Sequence, residues 1–417
     1  MGKAIMDSMA VFTEAFEQIH LMEDDLAHIS SRVDFIHLFS DVKDFRVPGK
    51  TKYKLGNLLM LILLVKYTTR STSFFEIALH IKAREKYFSE LGLIEDHQCP
   101  SHDTLRRVMM CLDGNALQEQ TIKRLYDFLR DLEKENKESA RHRQIAMDGK
   151  EMCGSGRSEK TEHPLPNKQL FNIYDCSLAT CIHCENIDSK TNEIPVAQML
   201  LEAMDLGKTV LTADALHCQR GTTEIIRRKK GHYVLAAKDN QKLLKQEILE
   251  RMEKYEKKVH IIEREKRTFA ILSLPRGYAV DGFTGMKAFV KMTSRIRKET
   301  SEICFISSTD DEDLICEAIE SRWGIENDLH KEKDVYFDED AIRYTNKNAV
   351  RNMAILNNLA LQIIRIDQMI SSCELRESKV KMLYYPVETI TGILAVMNSE
   401  EIITRIKKSI RKVSSKK

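Results

Sequence analysis

The fold turns on the run Gln144-Ile-Ala-Met-Asp-Gly-Lys150. Gln144 to Met147 reads as a short apolar strand closing on Asp148, since a brief apolar run bounded by turn residues marks a buried strand. Everything before it is patterned as helix, and the chain beyond it alternates strand with helix.

Upstream, Met6 to His28 is amphipathic, and Leu55 to Tyr67 is strongly apolar. The run Leu58 to Val65 stops at Lys66, far short of the roughly 20 residues a membrane span needs, and so predicts a buried helix. Ser73 to Lys86 and Thr104 to Leu112 space their apolar residues by three and four. Ser101 or Asp103 is placed to cap the second of these helices, because a short oxygen side chain accepts free first-turn amides. Asp131 to Arg143, rich in Lys, Glu and Arg, reads as a solvated helix end and linker. The pattern thus predicts an all-α N-terminal domain over residues 1–140.

Downstream, Leu170 to Asp188 reads as two strands and a turn, Val196 to Leu206 as a helix, and Thr209 to Thr212 as a strand leading to Asp214. Glu224 to Lys230 predicts a helix closed by Gly231, and Tyr233 to Ala237 another strand. That order describes a mixed sheet. A charged helix at Gln241 to Val259 precedes β-like runs at Arg267 to Leu274, Lys287 to Thr293 and Ile303 to Ser308, so a β-rich insertion is expected at about 240–308. Helical period returns over Leu314 to Leu329 and Lys347 to Arg365.

The 417 residues suffice for two or three domains, and 42% hydrophobic with 31% charged residues is a globular composition, excluding collagen-like and disordered classes. Ten scattered cysteines over an ample core fit free thiols in a reducing compartment, and no export signal follows Met1, so a cytoplasmic location is expected. Net charge is only +2, but basic residues cluster at Arg227 to Lys230 and from Arg405 to Lys417, where a polyanion contact competes with an ordinary solvated surface. Cys181-Ile-His-Cys184 resembles half a zinc knuckle with no second pair to complete it. Gly154-Ser-Gly-Arg157 lacks the lysine of a phosphate-binding loop.

Two acids end apolar strands, Asp148 and Asp214, where a carboxylate is rigidly held and partly desolvated. A turn or capping aspartate is the ordinary alternative for each. In Ile319-Glu-Ser-Arg-Trp-Gly-Ile-Glu-Asn-Asp-Leu-His-Lys-Glu-Lys333, Arg322 and Glu326 lie four apart on one helix face, and Lys333 returns to it two turns later. Trp323 either packs as core or stacks on a base.

Together these segments resemble the transposases of the ISAs1 group, the H-repeat-associated proteins, within the bacterial insertion-sequence enzymes that carry a DDE triad. The resemblance rests on Asp44-Phe-Arg46, Gly49, Tyr53, Leu55 and Pro100-Ser-His-Asp-Thr-Leu-Arg-Arg107 in the helical part. In the catalytic part it rests on Asp148-Gly-Lys150, Ser189 to Ile194 with Asn192-Glu193, Thr212-Ala-Asp-Ala215, Lys238-Asp-Asn-Gln241 and Arg322-Trp-Gly-Ile-Glu-Asn327 with Leu329-His330. Asp334-Val335, Phe337, Glu339-Asp340 and Arg343 continue the pattern. Ile319 stands where related enzymes place a tyrosine.

The resemblance implies an α/β fold: a ribonuclease H-like catalytic domain over 141–370 with its β-rich insertion, an end-DNA-binding helical domain before it, and a basic helical tail over 371–417. It assigns Asp148, Asp214 and Glu326 as catalytic and metal-binding residues. It implies Mg2+ as cofactor, with Mn2+ able to replace it, because hard divalent cations take carboxylate oxygens and a pair of them clamps both oxygens of an in-line phosphoryl displacement. Arg322, Lys333, Lys150 and Lys238 are expected at DNA phosphates, Arg322 also being open to an i,i+4 pair with Glu326. The expected partner is double-stranded DNA, both element ends and target, engaged by a dimer, with no membrane. Rival readings are a transposase-derived DNA-binding protein without cleavage activity and a stand-alone nuclease.

Overall fold

The computed structural model describes residues 38–135, 142–157, 163–187, 193–278, 280, 282–296 and 299–371. The helix expected at Met6 to His28, most of Ser189 to Ile194 and the basic tail lie outside the described residues.

Helix α1 (Leu55–Thr68) is apolar on every side, and Leu58 through Val65 are all buried. The predicted Ser73 to Lys86 helix is two: α2 (Phe74–Ala83), closed by a capping box between Ser73 and Glu76, and α3 (Glu85–Glu90). Ser101, rather than Asp103, caps α4 (His102–Cys111) through the Thr104 amide. Helices α5 (Gly114–Gln118) and α6 (Arg124–Glu135) complete the group.

The strands are β1 (Arg143–Met152), β2 (Lys168–Asp175), β3 (Thr180–Ile187), β4 (Thr209–Ala213), β5 (His232–Ala237), β6 (His260–Arg264), β7 (Arg267–Ser273), β8 (Ala288–Ile296) and β9 (Glu299–Ser307). They form one sheet in the order β3-β2-β1-β4-β5-β9-β8-β7-β6. β1 is antiparallel to β2 and parallel to β4, which is parallel to β5. Two sequence expectations change here. β1 does not end at Asp148 but runs on to Met152, its second half held by β2. The β-rich segment continues the main sheet, because β9 pairs antiparallel with β5 from Val234↔Ser307 to Ala237↔Cys304.

Helices α7 (Glu193–Ala203), α8 (Arg220–Arg228) and α9 (Lys242–Lys254) cover one face, packing Leu200, Leu201, Ile226 and Ile248 onto Ile145, Met147 and Leu211. The other face takes α10 (Glu312–Ser321), α11 (Lys331–Phe337) and α12 (Lys347–Ser371). There the helical N-terminal segment shares a core with the sheet: Leu58, Leu105 and Ile122 cluster with Ala146, Leu170 and Tyr174 and with Ala349 through Ile366 of α12. Tyr67 donates to the Ala360 carbonyl at 2.9 Å, fastening α1 to α12. Among the described residues no helix is long and apolar enough to cross a membrane, and the described cysteines are free thiols.

Candidate active site

The parallel register between β1 and β4 puts Ala146 beside Thr212 and ends at Met147↔Ala213. The next residues are Asp148 and Asp214, so two acids stand side by side where the β1–β4 pairing ends, with strands about 4.8 Å apart. Being two residues beyond Ala146 and Thr212, both stand on the face covered by α10 to α12. The Asp214 carboxylate accepts the Leu216 amide at 2.8 Å, which fixes its turn. The Lys238-Asp-Asn-Gln241 segment clasps that turn: Asn240 donates to the Ala215 carbonyl at 2.6 Å and Gln241 to that of Cys218 at 2.9 Å.

Glu326 arrives from above. Between α10 and α11 the helix widens into i→i+5 bonding over Ile325–His330, a local expansion that is frequent at functional sites. Glu326 lies in this turn and accepts a 3.0 Å ion pair from Arg322. The Trp323 ring, half-buried against the core, is flanked by the Arg267 and Arg322 guanidinium groups at 4.3 and 4.7 Å from its centroid. Ile319 is wholly buried.

Burial pushes the Asp148 carboxyl up to about 7, and the charges of Asp214, Glu326 and Glu193 push the same way against Arg322. Asp148 thus feels the charge of three other carboxylates and one guanidinium. His330 adds no positive charge, since burial lowers it to about 3. The Asn172 side chain lies 3.3 Å from its Nε2, and its Nδ1 is 3.6 Å from Asp148 Oδ2. With Asn172 donating, the neutral ring keeps its proton on Nδ1, facing Asp148.

Glu193 is the residue that sequence reasoning left without a role. An acid in a first helical turn is commonplace, so its position at the start of α7 gave no signal; its partner does. Glu193 approaches from the opposite face, bonded at 2.9 Å to the buried His217 three residues past Asp214. Its carboxylate fills the space above Gly149, where an added Cβ would stand 2.8 Å from Glu193 Oε2. The glycine of Asp148-Gly-Lys150 thus lets a fourth carboxylate reach the site. Gly149→Ala is expected to displace Glu193 and weaken divalent-cation affinity by about 10- to 100-fold, the usual cost of disturbing groups that orient a metal site. Stability should fall by only about 1–3 kcal/mol, as for a modestly overpacked site. Mg2+ titration by calorimetry compared with melting curves decides it; unchanged ion affinity would detach Glu193 from the site.

All four acids are hard oxygen donors, and Asp148 is partly desolvated, which suits a hard divalent cation. Among the described residues, no three His, Cys, Asp or Glu side chains are drawn tightly enough to hold an ion; the Arg322 pair holds Glu326 instead. Asp148, Asp214 and Glu326 fit such an ion by donor type and charge.

The four basic site residues divide. Lys238 is exposed beyond β5, and Arg322 faces the acids in the expected i,i+4 pair. Lys150 and Lys333, expected at DNA phosphates, are instead buried. Lys150 pairs with Asp334, Glu339 and Asp340 at 2.5, 3.2 and 3.5 Å, and Lys333 with Glu339 at 3.0 Å. The correction has a geometric cause. A widened turn adds one residue to the helix and rotates everything after it by roughly 100°, so Lys333 leaves the face of Glu326 for the interior. In the Arg227 to Lys230 cluster, Arg228 pairs with Glu202 and Lys229 donates to the Glu202 carbonyl at 2.6 Å, an internal use. Cys181 and Cys184 are buried, and Cys181 takes a hydrogen bond from Asn358 at 3.3 Å, in keeping with thiols rather than zinc ligands.

A family model described as "Transposase DDE domain" matches residues 137–363, and one described as "DDE_Tnp_1-associated" matches residues 36–123. The chain is 26% identical over 365 residues to "Putative transposase YncI" of Escherichia coli O157:H7, covering 81% of this chain and 88% of the relative. It is 24% identical over 352 residues to "H repeat-associated putative transposase YhhI" of Escherichia coli K12, covering 79% and 89%. A piggyBac transposase synaptic complex with hairpin DNA aligns over 90% of this chain and 81% of its own, at 10% identity and a TM-score of 0.43.

Proposed function

Since this chain belongs to the transposase DDE domain family, with H-repeat-associated relatives, we propose that it cuts the ends of its own insertion sequence and joins the freed 3′-hydroxyls to target DNA. The observation that carries this reading is the placing of Asp148 and Asp214 side by side at the end of the parallel β1–β4 pairing, with the charge of Glu326 bearing on Asp148. The order β3-β2-β1-β4-β5, antiparallel through β1 and parallel after it, supports a ribonuclease H-like core extended by β6 to β9.

Asp148, Asp214 and Glu326 would hold the divalent ions. Bound Mg2+, or Mn2+ in its place, supplies Lewis acidity toward the attacking and departing oxygens. In the first reaction water adds to phosphorus and the bond to O3′ breaks, leaving a 5′-phosphate and a 3′-hydroxyl. In the second, that hydroxyl adds to a target phosphorus and displaces the target's own O3′. Both are in-line displacements at phosphate, so one pocket serves both. Arg322, whose planar fork can grip two phosphate oxygens, positions the substrate once it releases Glu326. Lys238 neutralises backbone phosphate beside the Asp214 turn. The N-terminal helices carry end recognition, two ends call for a dimer, and the work takes place in the cytoplasm on nucleoid DNA.

The test is to incubate the purified protein with the DNA flanking its gene and map the cuts with and without Mg2+. Cuts at the tips of flanking inverted repeats, dependent on the ion, are expected. Binding without cutting would leave a DNA-binding descendant of a transposase.

A further inference from the structure

Beyond the acids, a cleft of about 570 Å³ opens where the loop after β1 meets the starts of α2, α4 and α12. Arg106, Arg157, Arg343, His102 and Phe75 line it, and among its described lining residues none is acidic. A smaller cavity of about 270 Å³, with Lys168 and Lys347 on its walls, adjoins it through the shared Thr345 and Asn346. Arg157 and Arg343 are exposed, and Phe75 is 58% exposed beside the His102 ring, 5.8 Å between centroids.

The cleft is rigidly built. The carbonyls of Asp340 and Ile342 press on Gly154 where a side chain would begin, and the Arg343 amide donates to the Thr72 carbonyl at 3.1 Å. α12 starts at its edge under the neutral cap Asn346 with no acid in its first turn, so a positive helix end adds to Arg157 and Arg343, while Asp103 in the first turn of α4 pairs with Arg106 at 2.9 Å. It also has the right reach. Met152 lies four residues past Asp148 on β1, roughly 13 Å, or about four base pairs of duplex.

We propose that this cleft grips the sugar–phosphate backbone of the DNA flanking the cut site, with Arg157 and Arg343 on phosphates and Phe75 against a base or sugar. The proposal rests on the DNA-cutting reading above and adds where the uncut flank is held. Each phosphate contact contributes about 0.9 to the slope of log affinity against log salt.

The test measures fluorescence anisotropy of a labelled duplex of about 40 base pairs taken from the DNA beside the gene, from low to physiological salt. Arg157→Gln/Arg343→Gln should bind about tenfold or more weakly near physiological salt, with a slope shallower by about 2. Lys257→Gln/Lys266→Gln, which removes the same charge at exposed sites elsewhere, should match wild type. If wild type binds and both double variants behave alike, the cleft proposal is overturned while the DNA-cutting reading stands. A wild type with no salt-dependent binding overturns both.

Discussion

If the chain cuts DNA as proposed, Asp148→Asn should leave it folded and bound to DNA but with nicking down by at least about a thousandfold, or about 4 kcal/mol of barrier. Asparagine keeps the shape of the side chain and removes the charge that a divalent ion needs. The structure also predicts which way stability moves. In the wild type this carboxyl sits in partial burial among Asp214, Glu326 and Glu193, which is why it holds its proton up to about 7. A neutral amide escapes that repulsion, so the melting temperature at neutral pH should be unchanged or higher. Loss of nicking with an undiminished melting temperature identifies a reacting-site residue; retained nicking removes Asp148 from the triad.

Glu339→Ala has the largest expected effect on stability. Glu339 is fully buried, and its carboxylate receives Lys333 at 3.0 Å, Lys150 at 3.2 Å and Asn357 at 3.0 Å. Truncation leaves two buried ammonium groups short of their counter-charge, a defect that typically costs about 3–5 kcal/mol. Lys333→Met/Glu339→Leu should cost much less than the two single changes added together, because an apolar pair replaces a buried ion pair with little loss. Denaturant unfolding of the four proteins measures the coupling, and additive losses would show that the two side chains do not act as a pair.

The same carboxylate predicts a pH dependence. Burial alone would raise its pKa, but Lys333, Lys150 and the Asn357 amide outweigh burial and bring it to about 2, against an ordinary 4.5. A depressed folded value means the stabilisation is complete above about 4.5 and is lost as pH falls toward 2. The wild type should therefore lose stability across that window, and Lys333→Met/Glu339→Leu should lose less. Equal acid sensitivity in both would locate the effect in other carboxylates.

The parts legible in the sequence were those set by local pattern. Asp148 and Asp214 announce themselves because each follows an apolar run too short for a helix, and α1 because nothing polar interrupts Leu58 to Val65. The parts that stayed hidden depend on partners distant in the chain. β6 escaped notice because His260-Ile-Ile-Glu-Arg264 is a largely exposed edge strand with no buried face to pattern it. The continuity of the sheet rests on Val234 meeting Ser307, which no local signal encodes. The inward turn of Lys333 depends on one widened helical turn, invisible to any rule that counts about 3.6 residues per turn. Glu193 becomes conspicuous only when Gly149 and His217 are seen on either side of it.

The fastening of α1 to α12 bears on how the protein is made. Tyr67 and Ala360 are 293 residues apart, so at about 5–20 residues per second a ribosome needs roughly 15–60 s to supply the cover for a helix that is greasy all round. During that interval Leu55–Thr68 has only its N-terminal neighbours, Ile77, Leu105 and Ile122 among them, to cover it, and the side that meets α12 stays open. Nascent chains halted just before Lys347, where α12 begins, should be cut by protease within that helix, whereas full-length chains resist.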